Sequence, residues 1–191
     1  MGIKCNFSGM KNVVAKYGDV GKANVAVGVV DNPEIATYAT YNEYGWVQRV
    51  TGKQAAYLRA NYGMNLKVGT TLMSPPRPFM RATYAAKIGE WNKILQTMLK
   101  GNGLTDPRKA LEMVGRQAQV DIQETIRNGG VDGTKFPERS PMTLAMYEAK
   151  DSTTRSGRKR KIESDSGSAR SKPLFRSGKL FGAIGYEVRG V

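Results

Sequence analysis

Alternating apolar residues mark one short segment near each end of the chain. The first segment lies between Gly21 and Asn32, and the second covers residues 184–188. A period-two alternation is typical of half-buried β-strands. We therefore predict that the two segments pair with each other and close the domain. The alternating positions are Val25, Val27 and Val29 in the first segment, and Ile184, Tyr186 and Val188 in the second.

Two longer apolar stripes follow helical spacing in the middle of the chain. The first begins after a proline-rich segment and stops at residues 101–103, which contain two glycines. The second begins at Asp106 and Pro107, a cap followed by a first-turn proline, and stops at residues 128–130. Two such helices can pack together and cover one face of a sheet. Their apolar positions are Met80, Tyr84, Ile88, Trp91, Leu95 and Met98, then Leu111, Val114, Ala118, Ile122 and Ile126.

Local signals predict several shorter elements. Residues 33–44 have helical spacing, and Gly45 is placed to end that helix. Thr51 with Gln54 fits a capping box, so a second short helix is predicted from there. A hairpin is predicted over residues 66–73 with its turn at Gly69. Near the end of the chain, Ser177 is predicted to cap a helical turn that contains Leu180 and Phe181.

These elements predict an α+β fold. A small, mostly antiparallel sheet would be built from the N-terminal and C-terminal strands and packed by the two longer helices. A chain of 191 residues with 40% hydrophobic residues can form one core, so we predict a single domain over residues 1–191. No apolar stretch is long enough to cross a bilayer, and no signal-peptide pattern is present, so we expect a cytoplasmic origin and no membrane contact.

A basic segment interrupts this pattern between residues 150 and 172. The chain has 30 basic and 16 acidic residues, a net charge of +14, and this segment contributes +5 of it. Because Ile162 is its only large aliphatic residue, we predict a flexible basic arm inserted in the domain. Such an arm could contact a DNA backbone or an acidic protein surface, or simply be a solvated loop. The candidate binding residues are Arg155, Arg158, Lys159, Arg160 and Lys161.

The composition argues against an enzyme. Histidine is absent, which removes Ser–His and Cys–His nucleophile pairs and most catalytic zinc sites. The single cysteine, Cys5, has neighbours that supply no general base. A weak nuclease-like match, Glu148 and Lys150 separated by one residue, lies in a segment with helical character. We therefore expect no catalytic residue, no metal and no cofactor.

A proline-rich strap, residues 74–81, leads into the first long helix. Its sequence is Ser-Pro-Pro-Arg-Pro-Phe-Met-Arg, and its prolines keep the backbone extended until the helix starts at Pro78. By itself this pattern indicates a rigid connector. Upstream of the strap is an aromatic cluster that we predict lines the core rather than forming a ligand cage. Its members are Tyr38, Tyr41, Tyr44 and Trp46.

The strap is one of three features that together resemble a known family. The other two are residues 42–45, Asn-Glu-Tyr-Gly, and residues 172–180, Lys-Pro-Leu-Phe-Arg-Ser-Gly-Lys-Leu. In this order, over roughly residues 25–188, they resemble the tail-completion or head-tail joining proteins of long-tailed bacteriophages, of the phage virion morphogenesis type. The resemblance implies a structural virion protein of the phage neck, assembled in the host cytoplasm.

The resemblance also implies partners. These are further copies of the chain in a homo-oligomeric ring, hexameric in the family, together with the head connector and the tail tube or tail terminator proteins. In such a ring the strap would present Arg77 and Arg81 to a neighbouring subunit, while flexible arms gain order across the seams. The alternative hypothesis is a DNA-binding or packaging accessory protein that acts through the basic arm. A third is a metal-dependent nuclease centred on Glu148 and Lys150.

Overall fold

Helices and short strands alternate along the chain. The computed structural model describes residues 2–4, 23–100, 106–152, 172–175 and 177–190. In chain order its elements are β1 (Gly2–Lys4), β2 (Asn24–Val29), α1 (Pro33–Tyr44), β3 (Trp46–Arg49), α2 (Gly52–Tyr62), β4 (Thr71–Ser74), α3 (Phe79–Lys100), α4 (Pro107–Asn128), β5 (Gly130–Val131), β6 (Thr134–Lys135), α5 (Pro141–Ser152), α6 (Lys179–Gly182) and β7 (Ile184–Arg189). The predicted α+β class is confirmed. Within these ranges, no helix combines the length and the apolar character needed to cross a membrane.

A three-stranded antiparallel sheet joins the two ends of the chain. Its strand order is β1–β2–β7, so the last strand pairs directly with β2. The register confirms the pairing predicted from the two alternating segments. Because residues opposite each other on paired strands share a face, the alternating apolar side chains form one apolar surface. The pairs are Val25 with Val188, Val27 with Tyr186, and Val29 with Ile184.

The two 22-residue helices α3 and α4 pack together, and α4 also packs on the sheet. Their apolar stripes supply much of the buried core, as predicted. A polar pair lies within this interface, where the buried Trp91 donates its indole N–H to Asp121 Oδ2 at 2.6 Å. Gln117 donates to the other carboxylate oxygen at 2.9 Å. This buried carboxylate is therefore hydrogen-bonded on both oxygens, as a buried charge requires.

Helix α4 approaches the sheet closely at Gly115. A Cβ atom at this position would lie 2.5 Å from Tyr186 Cδ2 and 2.9 Å from Val25 Cγ2. A Cβ at Gly89, on α3, would meet no atom within 4 Å. The absence of a side chain at Gly115 therefore sets the distance between helix and sheet.

This contact predicts opposite effects for the same substitution at two helical glycines. Gly115→Ala is expected to lower the free energy of unfolding by about 1–3 kcal/mol through overpacking. Gly89→Ala should raise it by about 0.5–1 kcal/mol, because alanine costs less backbone entropy in a helix. Urea unfolding of the two variants measures both effects. A stabilised Gly115→Ala protein would contradict the close approach of α4 to the sheet.

Most of the predicted helix ends are confirmed. Thr51 and Gln54 form the reciprocal capping box, and Asp106 caps α4 ahead of its first-turn proline. Gly45 follows the end of α1 with a positive φ of 72°, as expected of a helix stop. The final helical turn differs, because Gly178 rather than Ser177 is its N-cap residue and no side chain caps it.

The predicted hairpin and the predicted basic arm have different outcomes. The hairpin over residues 66–73 is wrong, because β4 pairs with β3 across the intervening helix α2. The basic arm lies mostly outside the described residues, and so do Arg155, Arg158, Lys159, Arg160 and Lys161. Helix α5 continues to residue 152, so the first three residues assigned to the arm are helical.

Candidate functional site

The strap packs against the C-terminal end of α1, so two of the three family-like features form one structural unit. The backbone N–H of Arg77 donates to the carbonyl of Asn42 at 2.7 Å. Gly45 lies directly against the strap, where a Cβ atom would be 2.6 Å from the carbonyl oxygen of Ser74. We call residues 42–45 together with the strap, residues 74–81, the strap junction.

A buried carboxylate holds the start of α3 in the strap junction. Glu43 is only 4% exposed, and its two carboxylate oxygens accept the backbone N–H groups of Met80 and Arg81, each at 3.0 Å. The N–H of Phe79 donates to a strap carbonyl at 2.7 Å, and that of Ala82 donates to the carbonyl of Pro78 at 2.8 Å. All N–H groups of the first turn therefore have partners, and a negative charge lies where the helix dipole favours it.

Arg81 completes the junction from the solvent side. Its Nε donates to Glu43 Oε1 and its Nη2 to the Glu43 carbonyl oxygen, both at 3.0 Å. Its guanidinium carbon lies 4.6 Å from the ring centroid of Tyr44. The side chain remains 53% exposed, so Arg81 links the two motifs and still reaches the surface.

Arg77 has a different position from the one expected. It is 5% exposed, and its Nε and Nη2 donate to the carbonyl oxygens of Pro137 and Glu138, both at 2.7 Å. Its Nη1 also donates to Ser74 Oγ at 3.2 Å. The expectation that Arg77 is presented to a neighbouring subunit is therefore wrong. The planar guanidinium fork instead fixes the strap to the loop before α5.

The strap junction is followed by a unit made of β3, α2 and β4, which we call the ribbon module (residues 45–74). Strands β3 and β4 form a separate two-stranded ribbon in which Val47 is opposite Met73. Each of these two side chains is 69% exposed. Val50 and Leu58 are buried but do not belong to the main core cluster, and α2, which carries Leu58, contacts α5. The ribbon is therefore left largely uncovered by the rest of the described protein.

Exposed aromatic side chains continue this surface along α1. Tyr38, Tyr41, Tyr44 and Trp46 are all exposed by more than a third of their area, so the prediction that they line the core is wrong. They follow α1 from its middle to the first residue of β3. The spacing of aromatic residues along a sequence does not show whether they lie in the core or on an exposed surface.

The charge of the ribbon module has one sign. Residues 45–78 contain no acidic residue. Arg49, Lys53, Arg59 and Lys67 are all exposed. The absence of acidic residues from this segment is visible in the sequence and could have singled it out as a basic surface. The denser basic charge of residues 150–172 indicated the arm instead.

A groove of about 1060 Å³ lies at the opposite end of α1, between this helix, α6 and the start of β7. Its apolar lining includes Val30, Ile35 and Leu174, and Tyr38 also contributes. Asp31 and Glu34, both exposed, lie among the lining residues. These two carboxylates do not belong to a candidate metal site. The described ranges contain no group of three or more His, Cys, Asp or Glu side chains suited to a metal ion.

Comparison with known proteins found no relative of this chain. No family model, no curated protein and no solved structure matches the chain. The Glu148 and Lys150 positions lie on helical backbone in α5, as their sequence context predicted. The functional inference therefore depends on the strap junction, the ribbon module and the groove.

Proposed function

We propose that the chain is a structural assembly protein of the phage neck, forming a ring that joins the head connector to the tail tube. The observation that carries this proposal is the uncovered ribbon module, with Val47 and Met73 paired on its exposed surface. An isolated two-stranded ribbon is marginally stable in water, and exposed apolar surface of this kind marks an interaction site.

The side chains of the surface are those expected of a protein interface. Tyrosine, tryptophan, methionine and arginine are enriched in interfaces, and all four occur on α1 and the ribbon module. The strap junction holds this surface on a rigid base, because Glu43 and Arg77 join the base to α3 and to the loop before α5. A preorganised surface loses less entropy on association than a mobile one.

The neck assignment is supported by the family resemblance of the sequence. The structure brings two of the three resembling segments together as the strap junction, and the third leads through α6 into β7. The assignment of Arg81 as a partner-binding residue remains part of this proposal, since its side chain is half exposed.

Disruption of the gene in the virus that encodes the chain tests the proposal. We expect lysates that contain DNA-filled heads and complete tails that are not joined, visible by electron microscopy. Supplying the wild-type protein from a plasmid should restore joined, infectious particles. Joined and infectious particles made without the protein would contradict the proposal.

A second candidate function, a DNA-binding or packaging accessory, is favoured by one observation. The exposed charges of the ribbon module, which include Arg49, Lys53 and Lys67, are all basic, and basic surfaces bind phosphate backbones without reading sequence. The same disruption experiment separates the two functions, because loss of a packaging factor would leave unfilled heads.

A further inference from the structure

We infer that the ribbon module of one copy docks into the groove at the start of α1 of the next copy, in a head-to-tail contact. This inference rests on the proposed assembly function and deepens it by naming the two surfaces that meet. The occupant of the groove is a second copy of this chain.

The two surfaces lie at opposite ends of one rigid element. The groove is lined by residues of the N-terminal half of α1, from Asn32 to Tyr38. The ribbon begins at Trp46, one residue after Gly45 has ended the helix. The groove lining reaches Tyr38, and α1 continues for six residues beyond it, about 9 Å, before the chain reaches the ribbon. Among the described residues, Val47 and Met73 of the ribbon and Asp31 and Glu34 of the groove are all exposed.

Charge favours contact between these two surfaces rather than between two like ones. The ribbon module carries Arg49 and Lys53 and no acidic residue, so two ribbons repel each other. Among the described lining residues of the groove, Asp31 and Glu34 are acidic and Lys179 is the basic one. Opposite charges across an interface set the choice of partner and its orientation.

Apolar character also agrees, because the described lining of the groove includes Val30, Ile35 and Leu174. Val47 and Met73 would be removed from water there, against Val30 and the exposed ring of Tyr38. Each apolar side chain buried in this way contributes to association through the hydrophobic effect.

A contact between two different surfaces has a structural consequence. A bound pair still offers one free ribbon and one free groove, so assembly continues until the last ribbon meets the first groove. Such a contact generates a closed ring when its rotation closes. It is the type of contact that the proposed neck ring needs.

Two complementary variants test the inference. The ribbon variant carries Val47→Asp and Met73→Asp, and the groove variant carries Glu34→Lys and Tyr38→Lys. We expect each variant alone to be monomeric in light scattering at concentrations at which the wild type assembles. An equimolar mixture should form a 1:1 dimer and nothing larger, because only the groove of the ribbon variant and the ribbon of the groove variant remain intact.

The controls separate folding and function from docking. All four positions are exposed, so circular dichroism and the melting temperature should change little. Val120→Asp, at an exposed valine of α4, should assemble as the wild type does. A ribbon variant that assembles normally would overturn the inference, and so would a mixture that stays monomeric. It would also be overturned if the ribbon variant lost binding to duplex DNA but still assembled. The gene-disruption phenotype is independent of these results and would still decide the proposed function.

Discussion

Replacing Glu43 by alanine is expected to lower the free energy of unfolding by about 3 kcal/mol. The substitution removes the acceptor of two backbone N–H groups at the start of α3, and it removes the ion pair with Arg81. A hydrogen bond to a charged group contributes about 1.5–3 kcal/mol, and a buried donor left without a partner adds a desolvation cost. Most domains have only about 5–15 kcal/mol of stability, so this loss would be large. Denaturant unfolding followed by circular dichroism measures it.

Glu90→Ala is the matched control for this prediction. Glu90 is also on α3, but its side chain is 62% exposed and its partner is the nearby Lys87 at 2.9 Å. Exposed ion pairs contribute little, so we expect a change within about 0.5 kcal/mol. Amide hydrogen exchange should show faster exchange at Met80 and Arg81 in the Glu43 variant only. A Glu43→Ala protein as stable as the control would show that the carboxylate does not hold the strap junction.

Gly45→Ala is expected to lower the free energy of unfolding by about 4 kcal/mol. Gly45 has a φ of +72°, and a Cβ atom there would lie 2.6 Å from the carbonyl oxygen of Ser74 and 2.9 Å from the backbone nitrogen of Pro76. These are backbone atoms of a proline-stiffened segment, so they cannot move away as a flexible side chain can. Conformational strain and overpacking each contribute about 1–3 kcal/mol. Thermal and denaturant unfolding measure the sum.

Gly63→Ala measures the cost of a positive φ without the close contact. Gly63 has a φ of +65° and a ψ of 14°, in the αL region, whereas Gly45 has a ψ of 177°. A Cβ atom at Gly63 would meet nothing within 4 Å. Its alanine variant should therefore show only the cost of the left-handed backbone, about 1–2 kcal/mol. Equal losses for the two variants would mean that the contact between α1 and the strap is loose.

Elements defined by local patterns were predictable from the sequence. The alternation of Val25, Val27 and Val29 predicted the strand and its pairing with residues 184–188, because residues at every second position of a strand share one face. The structure differs in that β2 is buried on both faces from Val25 to Val29. The capping box at Thr51 and the cap at Asp106 depend only on side chains within three residues of the helix start. Such signals need no knowledge of the tertiary structure.

Contacts between distant segments were not predictable in this way. The pairing of β3 with β4 crosses a whole helix, while the sequence offered a local glycine turn that indicated a closed hairpin. The role of Glu43 depends on the strap that packs 37 residues further along the chain. Arg77 lies in an extended, proline-rich segment that looks exposed, yet its partners are about 60 residues away. One sequence contains no signal for any of these three contacts.

Of the partner-binding residues inferred from the sequence, the structure reassigns one and leaves one at the surface. Arg77 stabilises the fold, whereas Arg81 is both a fold contact and an exposed cation beside Tyr44. The surface that was not predicted from the sequence is the ribbon module, in which the paired Val47 and Met73 are both exposed. Only the arrangement of neighbouring elements shows that this face is left open.

The mass of the purified wild-type chain in solution tests most directly the claim that it works by self-assembly. We expect native mass spectrometry to show one closed multi-copy species, with a mass that is an integer multiple of 20.9 kDa. A single species of 20.9 kDa at every protein concentration examined would contradict that claim.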